Sequence, residues 1–500
     1  MLALAAVLEG REEYEIVDGN LDDNPVDTIL SLIDSHKVDL LGVSCMPGPQ
    51  MVAAMETSRE IRRLRPHIKI VWGGYFPAIY PDSTLNAKYV DFVVRGQGED
   101  TLLELIDAVR GKRSFDSILG LSYKDAFGLH RNNAERPMKG PDSFPWSPFH
   151  RLPVEKYLRP SFFGKRTAVH HASIGCPFNC SFCGVHAAYG REERMESPER
   201  TVAILKHLIA EYGADSVQFY DMNFFLREDH ARDLCDRMAP LKLRWWCEAR
   251  VDALARFSDA TWRALRDAGL SMVFCGAESG SDEVLARMNK GTTTEQILTT
   301  AAKTRQHGII PEFSFIFGDP EAPAQELENT LAFVRKLKAI NPAMELISYF
   351  YTPTPQRRQT YGGVDARAGT PETLEEWIQP EWVAWMTHEN PRLPWFAQKL
   401  RTRAQDFELV LKSRFPSVHD RQTRGWGKVL GRAASWWRWE RQNYDDPRLL
   451  RQVRKLARIV PDDSQAYGHL RPAAASAPRW ATQVRKQFFF EKKNQKTLFS

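Results

Sequence analysis

Five hundred residues, 43% hydrophobic and 26% charged, exceed what one core usually holds, so two or three globular domains are expected and a wholly disordered chain is excluded. No run reaches eighteen uninterrupted apolar residues, and the opening MLALAAVLEG lacks both a basic start and a small-residue cleavage site; neither a transmembrane segment nor a secretory signal is read, and a cytoplasmic location is expected. The net charge of +5 is uneven: residues 381–500 carry 24 Lys/Arg against 11 Asp/Glu, the preceding 380 carry 44 against 52, and eight of the fourteen tryptophans fall in the basic part. Such a region can serve nucleic acid, anionic lipid or an acidic substrate, or be a solvated basic face with aromatic packing.

Between residues 1 and 122, helical patterns alternate with short apolar strands predicted at EYEIVD (13–18), VDLLGVS (38–44), KIVWGG (69–74) and VDFVVRG (90–96). That alternation implies a parallel sheet with crossover helices. A polar, Pro-rich stretch over 123–160 reads as a linker. A second series follows over 161–375, with strands predicted at TAVHHASIG, SVQFYD, RWWCEAR, MVFCGAES, PEFSFIFG and MELISYFYTP. Six strands with helix-length spacers suggest a partial (β/α)6 barrel whose active site sits at the C-terminal strand ends. Residues 376–500 read as a mainly helical C-terminal region ending in a poorly ordered tail.

Seven cysteines, three of them crowded into GCPFNCSFC as Cys176, Cys180 and Cys183, do not make a disulfide framework and favour metal or redox use. Three thiolates on one loop can hold three irons of a cubane cluster, leaving the fourth iron open to a substrate. Structural zinc is the rival, but a closed zinc site needs a fourth ligand, for which His170, His171 and His186 are the nearest candidates. The isolated Cys45, Cys235, Cys247 and Cys275 read as inert core residues.

The triplet, with the aromatic Phe182 before its last cysteine, resembles the hallmark of the radical S-adenosylmethionine (SAM) superfamily, whose fold is a six-stranded partial barrel. The resemblance implies a 4Fe-4S cluster on Cys176, Cys180 and Cys183, with an open iron that chelates SAM and reductive cleavage that gives a 5′-deoxyadenosyl radical. It further implies that Asp221, Arg250, Glu278, Ser279 and Gly318, all at strand ends, hold parts of SAM, as carboxylates near a cation and a guanidinium near a carboxylate should. Tyr351, Pro353 and Pro355 resemble a family pattern in which Gln356 stands where glycine is usual.

The N-terminal part resembles a cobalamin-binding domain: Ser44-Cys45-Met46, then 26 residues, then Gly73-Gly74 matches that family's Ser-x-Leu and Gly-Gly spacing. Gly48, Gln50 and Glu99 belong to phrases, MPGPQ and VVRGQGE, that resemble the cobalamin-binding subgroup of radical SAM enzymes. The Asp-x-His-x-x-Gly that brings an axial histidine elsewhere would fall at or before Met1, and the first strand of the sheet is likewise expected to be missing. The fold class expected is therefore α/β: a Rossmann-like cobalamin-binding domain lacking that strand, a partial (β/α)6 barrel, and a helical C-terminal region.

The leading expectation is cobalamin-dependent C-methylation of a small-molecule, lipid or tetrapyrrole substrate, acidic or apolar, with a reductant such as flavodoxin or ferredoxin. Ring-forming or oxidative chemistry like that of the anaerobic magnesium-protoporphyrin ester cyclase is the alternative. An RNA-modifying enzyme and a non-catalytic cobalamin-binding protein are more remote, and a nucleic-acid partner is not expected. Residues 380–500 are expected to cap the barrel mouth.

Overall fold

The computed structural model describes residues 1–354, 361–364, 369–387, 393–418 and 426–456. Its first sheet contains β1 (Leu40–Ser44), β2 (Lys69–Gly73), β3 (Phe92–Val94), β4 (Leu121–Lys124) and β5 (His130–Asn132), in that spatial order. β1 to β3 run parallel, and β4 and β5 close the far edge antiparallel. Parallel neighbours need covered faces. Trp72, fully buried, donates its indole N–H to Ser58 Oγ at 3.0 Å on the helix Pro49–Leu64.

One predicted strand is corrected. EYEIVD runs extended but joins no sheet. β1 pairs only with β2, and residues 13–18 spend their side chains on other elements: Ile16 packs on the barrel core, Tyr14 lies under the Arg151 guanidinium at 4.9 Å, and Asp18 accepts from the Tyr157 hydroxyl at 2.5 Å. A strand needs a partner edge as well as an alternating pattern. Conversely, β4 and β5 lie beyond the last strand predicted for this sheet, largely inside the stretch read as linker.

The second sheet holds six parallel strands: β6 (Thr167–His170), β9 (Ser216–Phe219), β10 (Arg244–Arg250), β11 (Leu270–Glu278), β12 (Ile310–Phe317) and β13 (Glu345–Phe350). Their order is β6-β9-β10-β11-β12-β13, each beside its sequence neighbour, the arrangement of the expected partial barrel. TAVHHASIG divides: after β6 the chain turns into β7 (Ser173–Gly175), which pairs antiparallel with β8 (Glu193–Met195) as a separate hairpin. Several of the crossover helices start on side-chain caps. Ser197, Ser258 and Ser281 each accept from the backbone N–H three residues on, and Thr293 with Gln296 completes a capping box.

The C-terminal region does two jobs. Residues 371–387 strap onto the N-terminal domain: Trp377 is buried in that domain's core, 5.3 Å edge-on from Phe76 and 4.6 Å from Tyr80. Asn86 donates to the Glu372 carbonyl at 2.8 Å, and Ser83 to that of Pro371 at 3.0 Å. Residues 393–418 instead lie on the barrel, where Trp395 donates to the Gly318 carbonyl at 3.0 Å and Phe396 packs on Phe350. Among the described residues no helix is long and apolar enough to cross a membrane.

Candidate functional site

Cys176, Cys180 and Cys183 occupy the loop between β7 and the short helix Val185–Tyr189. All three thiols are free. Burial pushes the Cys176 thiol up and holds that of Cys183 near 12, so in the free protein both keep their protons and metal loading must release them. The loop is pinned from behind: Ser181 N–H donates to the Met288 carbonyl, and Asn289 Nδ2 to that of Asn179 at 2.7 Å. Phe182 packs against Val284, Met288, Ile316, Tyr351 and Tyr361.

Two cations stand behind the loop. Arg250 ends β10, points Nη1 at Cys180 Sγ at 3.6 Å, and lies over the Phe178 ring at 3.7 Å. Its other nitrogens are committed to Asp252 at 2.9 Å and to the Lys290 carbonyl at 2.6 Å. Lys290 Nζ sits 5.5 Å over the Phe182 ring and donates to Glu278 Oε1 at 2.7 Å, while Ser314 donates to Glu278 Oε2 at 3.2 Å. A register shift between Gly276 and Glu278 delivers that carboxylate from the end of β11, with Glu278 itself left-handed at φ +65°. A non-glycine residue held there is strained, and such strain gathers at functional sites. A Cβ on Gly276 would meet Glu278 Oε1 at 2.2 Å and Lys290 Nζ at 2.6 Å. A side chain there would push the Glu278–Lys290 pair out of this position.

At the ends of β8 and β9 lie polar groups left without a full set of partners. Asp221 follows β9, is buried, and accepts from Ser173 Oγ at 2.6 Å through Oδ1, leaving Oδ2 unpartnered. Burial, only partly offset by the Ser173 bond, raises its carboxyl to about 7. Asn223, equally buried, has neither amide atom partnered, and both carboxylate oxygens of Glu193 on β8 are buried without a partner. Burial and the nearby Asp221 lift Glu193 to about 8. Buried polar atoms are normally satisfied, so an orphaned set at the C-terminal strand ends fits a polar ligand such as SAM. Glu193 and Asn223 escaped the sequence reading. Asn223 lies two residues from Asp221 in FYDMNFF, but Glu193 is hidden in the charged run REERMESPER, which reads as surface.

The remaining residues expected to hold SAM divide. Ser279 is turned away, donating to Glu326 Oε1 at 3.2 Å and accepting from Ser281 N–H. Gly318 lies at the barrel mouth beneath Leu393 and Phe396. Tyr351 is buried and donates to the Tyr361 carbonyl at 3.1 Å; Pro355 and Gln356 fall outside the described residues.

The three sulfurs are not preformed as a one-ion site: among the described residues no three His, Cys, Asp or Glu groups converge as metal ligands. A cubane needs no such convergence on one point, because it spreads its thiolates over separate irons. Three thiols on one loop, with Arg250 and Lys290 beside them to offset thiolate charge, fit such a cluster.

At the carboxyl ends of β1 and β2, Ser44 and Gly73 lead into loops that touch. Cys45 N–H donates to the Gly73 carbonyl at 2.9 Å, and a Cβ on Gly74, at φ +95°, would lie 2.9 Å from the Cys45 carbonyl oxygen. Gln50 Oε1 accepts from Met46 N–H at 3.3 Å, and Gly48 abuts Thr387 of the C-terminal strap. Glu99 begins the helix after β3, where burial raises its carboxyl. Small residues at the C-terminal strand ends, where a Cβ on Gly74 would strike the Cys45 backbone, fit the place at which such a sheet receives cobalamin. The helix Val185–Tyr189 carries the cysteine loop onto it. Tyr75 approaches Gly184 so closely that a Cβ there would sit 2.2 Å from its hydroxyl, and Gly96 faces the Ala188 carbonyl. The two sites thus adjoin.

Comparison with known proteins agrees with both halves. A B12-binding domain model matches residues 1–106 and a radical SAM superfamily model residues 172–334. An uncharacterized methyltransferase of Pyrococcus horikoshii is 31% identical over 338 residues, 67% of this chain and 72% of that protein. The anaerobic magnesium-protoporphyrin IX monomethyl ester cyclase of Rubrivivax gelatinosus is 28% identical over 363 residues, 69% of this chain and 62% of that protein, so this chain spans less than two thirds of the cyclase. The radical SAM methyltransferase TsrM from Kitasatospora setae, solved with cobalamin and a [4Fe-4S] cluster, superposes with a TM-score of 0.60 at 19% identity, over 91% of this chain and 96% of that one; it shows a shared fold.

Proposed function

The chain belongs to the cobalamin-binding radical SAM enzymes, and from that premise we propose that it methylates a carbon of a small-molecule substrate. When bound, the cluster would supply the electron that splits SAM, and cobalamin the methyl group. The observation that carries this reading is the junction of the two sites: the helix Val185–Tyr189, continuous with the cysteine loop, rests on the Gly-Gly turn of the cobalamin crevice through Tyr75 and Gly184. Radical formation and methyl donation then share one enclosed space.

In this reading Cys176, Cys180 and Cys183 hold three irons, and the guanidinium of Arg250 and the ammonium of Lys290 stabilise the thiolates. Asp221, Asn223 and Glu193 receive the amino and hydroxyl groups of SAM, satisfying atoms otherwise orphaned in the interior. Glu278 fixes Lys290 against the Phe182 ring. Ser44, Met46, Gly48, Gln50, Gly73, Gly74 and Glu99 line the cobalamin crevice. Residues 393–396 close the barrel mouth and exclude water, which a carbon radical chemistry requires. A low-potential reductant of the flavodoxin or ferredoxin kind supplies the electron.

The test is anaerobic cluster reconstitution followed by turnover with methyl-labelled SAM. Deoxyadenosine together with label in the product supports methylation, and a C176A/C180A/C183A variant should give neither. Deoxyadenosine with an unlabelled, cyclised or oxidised product would transfer the reading to the cyclase-like alternative, which the 28% likeness to the cyclase favours.

A further inference from the structure

The helix Trp426–Glu440 leaves more apolar side chain exposed than a helix that only supports a core needs to. Its inward face presents Gly431, Ser435 and Trp439, with Trp439 against Phe407 and Phe415. Its outward face presents Val429, Leu430, Trp436 and Trp437, which are 68%, 49%, 56% and 41% exposed, with Ala433 between them. The spacing 429, 433, 436, flanked by 430 and 437, is one stripe of an α-helix, which ends on the exposed Glu440 at the helix C-terminus, and 431, 435, 439 lies on the opposite one. A soluble surface helix buries its large apolar residues and exposes the polar ones. Here Gly431, Ser435 and Trp439 go in, while four large apolar residues stay out.

From this we infer that the helix Trp426–Glu440 seats the protein on the surface of an anionic lipid bilayer. Fifteen residues span about 22 Å, enough to lie in the headgroup plane with the apolar stripe facing the acyl chains. Tryptophan is the residue favoured at that depth. Exposed Arg432 and Arg441 flank the stripe on its two sides, placed to meet lipid phosphates, and Arg438 lies over the Trp437 ring at 5.1 Å. The charge around it agrees: residues 426–456 hold eight Lys/Arg against three Asp/Glu, and residues 457–500 again eight against three. Both segments carry net positive charge, which draws them to an anionic membrane. Nucleic acid would match the arginines but has no use for exposed Val429 and Leu430.

The proposal is independent of the chemistry above, because its readout is binding alone. The full-length protein is floated with phosphatidylcholine vesicles with and without phosphatidylglycerol. Wild type should float with the anionic vesicles, with tryptophan emission shifted to the blue. W436S/W437S, altered only at exposed positions and melting like wild type, should partition about tenfold more weakly or worse. R432E/R441E should weaken binding at low salt and differ less from wild type as salt rises. Four results would overturn it: no flotation of the wild type; flotation kept by W436S/W437S but lost in R485E/K486E/K492E/K493E; a wild-type dimer that W436S/W437S converts to monomer without vesicles; or binding of a single-stranded RNA oligomer in preference to the vesicles.

Discussion

The two sides of the barrel mouth handle buried charge in opposite ways. On the β10–β11 side, Glu278, Lys290, Arg250 and Asp252 form a closed set in which each charge has a partner within 3 Å. On the β7–β9 side, Asp221 and Asn223 are as deeply placed, Glu193 is half-buried with both its oxygens buried, and all three are largely unanswered. Sequence position made Glu278 and Asp221 look alike, each a carboxylate after a strand. The difference teaches that one carboxylate is already part of the fold while the other is kept for something that binds.

The sharpest way to break this comparison is to unpair the satisfied side. K290M leaves Glu278 buried without a cation and should destabilise the protein by about 3–5 kcal/mol, read as a lowered denaturation midpoint; a value near zero would mean the pair contributes nothing. D221N should do the reverse, leaving stability intact or improved while weakening SAM binding by about tenfold to a hundredfold, since it removes a charged acceptor from the ligand. Calorimetry of SAM binding to the reconstituted protein measures it, and unchanged affinity would remove Asp221 from the site.

A pH series sharpens the same contrast. Asp221 near 7 and Glu193 near 8 both lie above their unfolded values, so their neutral forms add stability that is complete below about pH 4 and is lost as pH rises through 7 and 8. The melting temperature of the ligand-free protein should fall over that range, and E193Q should flatten the fall. The smallest effect is expected from S173A, which deletes only the Ser173–Asp221 bond and should cost about 1 kcal/mol with the Asp221 carboxyl rising further.

The cysteine loop was legible because it is local: three thiols within eight residues stay together whatever surrounds them. The six barrel strands were legible for a related reason, since a buried parallel strand is a short apolar run bounded by turns, and their spatial order follows their sequence order. The Gly-Gly turn was legible too, because only glycine tolerates the approach of Cys45 to Gly74. EYEIVD failed for the complementary reason. Its alternation satisfies the pattern of a strand, but no edge is offered to it, and its side chains are claimed by Arg151, Tyr157 and the barrel core.

Sequence alone thus determined most of the element types, the cysteine triplet proposed to hold the cluster, and the pairing of a cobalamin-type domain with a radical SAM barrel. Only the tertiary structure decided which carboxylate is paired, that Glu193 turns inward from a charged run, and that Trp377 is buried in a domain whose strands lie some three hundred residues earlier while Trp436 and Trp437 face out. Secondary structure and short motifs are fixed by neighbours along the chain. Burial and charge pairing are fixed by neighbours in space, and a residue's free energy there depends on groups the local pattern does not contain.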